Sequence, residues 1–186
     1  MKLASRNHED DIAAISAISR LFLLRIPSEA LPLEWDGEHS KIELFPTSAK
    51  ITLIRRKHLS TPSTLERHCC CRASGRMLCA AHWLHHLRKS ARGSGRIFST
   101  SAATFVKRIR ALAEESDVAG AKHIGTHAFR RGMAQDIVSA GGSLAVLLRA
   151  GDWHSKAFFK YLRESQAQDE AAAQFVINVS DSEDER

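Results

Sequence analysis

From Ala80 onward apolar residues recur at helical steps, and that periodicity confines the chain to a mostly helical design. Trp83 and Leu87 mark one helix, ended by the break at Gly93-Ser94-Gly95. Phe105, Ile109 and Leu112 line one side of a second over residues 102–115. Phe129, Met133 and Ile137 do the same for a third, which starts after Thr126 and stops at Gly141-Gly142. Residues 144–149 and 156–163 predict two shorter helices with Ser143 and Ser155 as N-caps, and residues 171–177 a last one. Upstream, Ile12, Ile15, Ile18 and Phe22 predict an amphipathic helix over residues 10–24, and Pro27 suits the first turn of another. Only residues 41–45 and 50–56 have β character, separated by Pro46-Thr47-Ser48 as a turn. The expected class is therefore mainly α with a small antiparallel β-sheet, an α+β fold.

Charge adds a partner. The tail from Gln166 holds six acids and one base, which leaves 26 bases and 15 acids, a net +11, on residues 1–165. The bases cluster at Arg55-Arg56-Lys57-His58, Arg88-Lys89, Lys107-Arg108 with Arg110, and Arg130-Arg131. Clusters of this kind suit a partner rich in phosphates. The N-terminus is polar and charged, and the apolar run Leu21–Leu24 is far too short to cross a bilayer, so an intracellular protein without a membrane partner is expected, nuclear if its source is eukaryotic.

His127-Ala128-Phe129-Arg130 stands at a helix start, and 31 residues after Arg130 lies Tyr161, the only tyrosine. The run Thr126-His127-Ala128-Phe129-Arg130-Arg131-Gly132, followed by Gly151-Asp152-Trp153-His154 and Lys160-Tyr161-Leu162, resembles the tyrosine recombinase (phage integrase) family, most closely its eukaryotic mobile-element branch. Leu24-Arg25-Ile26-Pro27-Ser28-Glu29 resembles that family's first arginine motif, and Thr52-Leu53-Ile54-Arg55-Arg56-Lys57 its lysine hairpin. The resemblance covers about residues 15–165, with the segments in family order.

The resemblance implies that DNA strands are broken and rejoined through a 3'-phosphotyrosyl link, with no metal and no ATP in the chemistry. Arg25 and Arg130 would hold the non-bridging oxygens of the scissile phosphate, since a guanidinium fork matches two oxygens at once. His127 would donate to the same phosphate or help take the tyrosine proton, Tyr161 would attack, and Lys57 would protonate the leaving 5'-oxygen. Arg55, Arg56, His58 and Arg131 would grip the DNA backbone. The family has His or Trp nine residues before its tyrosine, where this chain has Asp152. Trp153 or His154 is then expected to supply that contact.

The implied layout is a tail over residues 1–10, a catalytic domain over 11–165, a helix over 166–179 open to exchange between protomers, and an acidic disordered tail over 180–186. Residues 1–10 cannot supply the core-binding domain that closes the family's clamp on DNA, so the sequence is expected to be either a fragment or a minimal recombinase; in both cases binding should be weaker and steeply salt-dependent, with self-association on double-stranded DNA. Cys69, Cys71, Cys79 and His82 have the spacing of a four-ligand structural zinc site, although the first gap is tighter than usual; reduced free thiols are the alternative. Three other readings stay open: a type IB topoisomerase, which uses much the same residues, a non-catalytic DNA-binding descendant, and a zinc-stabilised interaction module.

Overall fold

The computed structural model describes residues 8–56, 61–91 and 93–153. The helices expected over 156–163 and 171–177, and both terminal tails apart from residues 8–10, lie outside the described residues. Mixed α+β architecture is observed, with one three-stranded antiparallel sheet. The chain divides into two compact units, residues 1–130 and 131–186, a boundary that falls inside the stretch 11–165 expected to form one domain.

In the first unit, helix α1 (His8–Leu21) buries Ile12, Ile15 and Ile18 with Ala14 and Ala17, the stripe that its spacing predicts. It ends earlier than expected because Leu23 adopts a left-handed conformation (φ 51°) while its side chain stays fully buried. A left-handed leucine costs roughly 1–2 kcal/mol, so the surrounding packing must hold this turn. The turn leads directly to Arg25 and a single π-helical turn over Ile26–Ala30, with Pro27 in its first positions and Leu31 N–H donating to the Ile26 carbonyl at 3.0 Å. The short helix expected at Pro27 is thus a wider turn, of the kind often found at functional sites.

Strands β1 (Ser40–Phe45), β2 (Ser48–Leu53) and β3 (Ser63–His68) form the sheet in that order. Phe45 pairs with Ser48, so Pro46-Thr47 is a two-residue turn and Ser48 already belongs to the strand. Ile42, Ala49, Ile51, Leu53 and Leu65 face the core. After a one-turn helix, α2 (Cys71–Ser74), helix α3 (Ala80–Ser90) buries Trp83, Leu84 and Leu87 against α1 and the sheet. Burying each such side chain stabilises the unit by about 1.5–3 kcal/mol. Arg67 of β3 ties the layers together: its Nε donates to the Leu21 carbonyl at the end of α1, and its guanidinium lies 5.4 Å from the centre of the Phe22 ring. Helix α4 (Ala102–Glu115) is capped by Ser101 and buries Phe105, which meets Phe129 edge-on at the start of α5 (Ala128–Ser139).

The second unit contains the rest of α5 and helix α6 (Leu144–Gly151). Gly141 (φ 77°) stops α5: its N–H donates to the Val138 carbonyl and that of Gly142 to Ile137, the paired bonds of a glycine-terminated helix. Ser143 caps α6 by accepting from Val146 N–H. Among the described residues, no helix is long and apolar enough to cross a membrane.

Candidate functional site

Three arginines from distant parts of the first unit converge on Glu29. The π turn points the Glu29 carboxylate back over its own start, where Oε2 accepts from Arg25 N–H (2.8 Å) and Oε1 from Arg25 Nη1 (2.7 Å). Arg56, just beyond β2, donates from Nε to Oε1 at 3.0 Å and from Nη1 to the Ser63 hydroxyl. Arg130, 101 positions after Glu29, donates from Nη1 to Oε2 at 3.2 Å.

The side chains of Glu29, Arg56 and Arg130 are only 1–2% exposed, whereas Arg25 is 23% exposed. Burial alone would raise the Glu29 pKa, but the Arg56 and Arg130 charges and the Arg25 N–H hold it below the usual carboxylate value. Glu29 is therefore ionised at neutral pH and fixes three forks in one place. Nε and Nη2 of Arg25 bond nothing among the described residues, so the most exposed fork can still donate to an oxyanion.

The other expected site residues distribute as follows. His127 is exposed and precedes α5 directly, one helical turn before Arg130. Arg55 is exposed, while its neighbour Arg56, expected to grip DNA, is an internal strut of the cluster. In the second unit, Arg131 is exposed on α5. Asp152 takes the left-handed position that ends α6 (φ 48°), a conformation Asp tolerates better than most residues. That turn returns buried Trp153 over Gly151, where a Cβ would sit 2.7 Å from the indole. Lys57, His58, His154 and Tyr161 lie outside the described residues.

Sequence reasoning missed Glu29 as the organiser of this cluster. The available signal was its place as the one acid in the run Phe22–Leu33, four residues after that run's one base.

A second cluster joins the end of β3 to α3. The Sγ atoms of Cys69, Cys71 and Cys79 lie within 4.8 Å of one another and could hold a metal ion. Cys79 is the N-cap of α3, and its sulfur accepts from the N–H groups of His82 and Cys70, both at 3.4 Å. Burial raises the Cys79 pKa, but these two donors and the neighbouring thiols bring it down to about 7. His82, the expected fourth ligand, is outside the thiol triad but lines a half-open cavity of about 210 Å³ together with Cys69.

Comparison of the chain with protein families, with curated proteins and with solved structures returned no match.

Proposed function

We propose that this chain is a DNA breaking and rejoining enzyme of the tyrosine recombinase type, and that residues 11–165 carry its catalytic fold. The observation behind this reading is the meeting of Arg25 and Arg130 on one buried carboxylate. Each was singled out by a separate sequence motif; Arg130, expected to hold the phosphate itself, is only 1% exposed on Glu29 and acts by fixing the cluster that places Arg25. The Arg25 fork and the exposed His127 then bind the non-bridging oxygens, where negative charge grows as phosphorus becomes five-coordinate. The Tyr161 phenolate oxygen bonds to phosphorus, the bond to the 5'-oxygen breaks, and Lys57 gives that oxygen its proton. Rejoining reverses these transfers. Arg55, His58 and Arg131 hold the backbone of double-stranded DNA, on which protomers assemble through residues 166–179. A structural zinc at the thiol cluster would brace the fold outside the chemistry.

The test is incubation of the purified chain with nicked duplexes of pooled sequence, followed by denaturing electrophoresis. A covalent protein–DNA species that disappears in Tyr161→Phe supports the proposal. DNA binding without any such species contradicts it and favours a non-catalytic DNA-binding protein. Relaxation of supercoiled plasmid without strand exchange would instead assign the chain to topoisomerase chemistry.

A further inference from the structure

We propose that Cys69, Cys71, Cys79 and the imidazole of His82 bind one Zn²⁺, with Cys70 outside its coordination sphere. This rests on the structural-zinc reading and adds the geometry of its expected ligand set and its mechanical role. Zn–S bonds of about 2.3 Å at tetrahedral angles put two thiolates about 3.8 Å apart. Cys69 and Cys79 have their sulfurs at 3.8 Å, and Cys71 completes a triangle with no edge above 4.8 Å. All four cysteines are free thiols. The backbone also supplies the outer contacts that a zinc thiolate uses, because two N–H groups already point at Cys79 Sγ.

Of the three consecutive cysteines, spacing selects Cys69 and Cys71, and the structure gathers those two with Cys79. Cys70 stays outside the triad: its thiol still interacts with Cys79, but its sulfur accepts from the Ser74 hydroxyl at 3.1 Å and lies 4.0 Å from the Leu78 carbonyl. His82 is one helical turn beyond Cys79 and shares a cavity wall with Cys69. His85, on the same wall, is bonded through Nε2 to the Phe45 carbonyl at 2.9 Å. A Cys₃His set requires the His82 imidazole to turn toward the three thiols.

Three thiolates and one imidazole around Zn²⁺ carry one net negative charge, which the nearby Arg76 and Lys89 offset. The ion would fasten Cys69, the first residue beyond β3 and itself bonded to Thr47 in the β1–β2 turn, to the first turn of α3. It would therefore clamp the sheet to the helix that covers it.

The experiment is Co²⁺ titration of the reduced full chain, followed by displacement with Zn²⁺. One equivalent of Co²⁺ should give tetrahedral d–d and sulfur-to-cobalt bands, unchanged in Cys70→Ser and abolished in Cys79→Ser. Loss of outer contacts alone weakens metal sites by 10–100-fold, so His82→Ala should weaken binding by at least about 100-fold and shift the d–d bands. X-ray absorption of the zinc-loaded wild type should count three sulfurs and one nitrogen, a result independent of how the variants fold. Four sulfurs, with binding lost in Cys70→Ser, would overturn the ligand set and leave zinc in place. Absence of any tetrahedral Co²⁺ spectrum would overturn the zinc reading itself.

Discussion

The two polar clusters of the first unit are assembled by opposite means. At Glu29, groups of opposite charge close on one another, and the fold alone suffices to hold them. At Cys79, groups of one kind are gathered at the N-terminus of a helix, and only backbone N–H groups and neighbouring thiols temper their chemistry. The contrast teaches which perturbation each should feel. The arginine cluster depends on its carboxylate, whereas the thiol cluster should respond to soft metal ions.

The most severe way to break the comparison is Glu29→Gln, which keeps the shape and removes the charge. Leaving buried Arg56 and Arg130 without their anion should destabilise the first unit by about 3–5 kcal/mol in urea unfolding. A milder perturbation is Arg56→Lys, which cannot hold both Glu29 and Ser63 through a guanidinium fork and should cost about 1.5–3 kcal/mol. Ser143→Ala should remove only the cap of α6, about 1 kcal/mol, with no effect on the first unit.

Acid sharpens the same contrast. Because the folded Glu29 pKa lies below its unfolded value, its contribution is full above about pH 4.5 and is lost as pH falls through the folded pKa. Unfolding measured against pH should therefore show an acid-labile component in the wild type that Glu29→Gln lacks.

Where burial followed a repeating apolar pattern, the sequence was readable. The stripes of α1 and α4, the serine caps at Ser101 and Ser143, and the glycine stop at Gly141 all act locally, within a turn or two of chain; of these only the Ser101 cap was not anticipated. Strand β3 was missed because Leu65 is its one apolar residue; its other inward positions are Ser63 and the half-buried Arg67. The early end of α1 was hidden as well, since nothing in Phe22-Leu23-Leu24 signals a left-handed leucine.

For the site, motif spacing selected Arg25 and Arg130 but said nothing of what joins them. Their common partner depends on a π turn, and on a hydrogen bond that spans 101 positions. The thiol triad was legible in the sequence, because its members fall within eleven residues and their spacing already selected Cys69, Cys71 and Cys79; what spacing could not show was that His82 lies outside the triad.

The measurement that bears most directly on the account is covalent trapping by Arg25→Ala on two nicked duplexes, one with an ordinary scissile phosphate and one with a neutral methylphosphonate there. Arg25 is the partly exposed member of the cluster, so urea unfolding can verify that the variant stays folded before trapping is compared. If Arg25 serves the charge of the phosphate, the variant should lose about 100-fold or more in adduct formation on the phosphate and much less on the methylphosphonate. Equal losses on both substrates, or an adduct that survives in Tyr161→Phe, would contradict it.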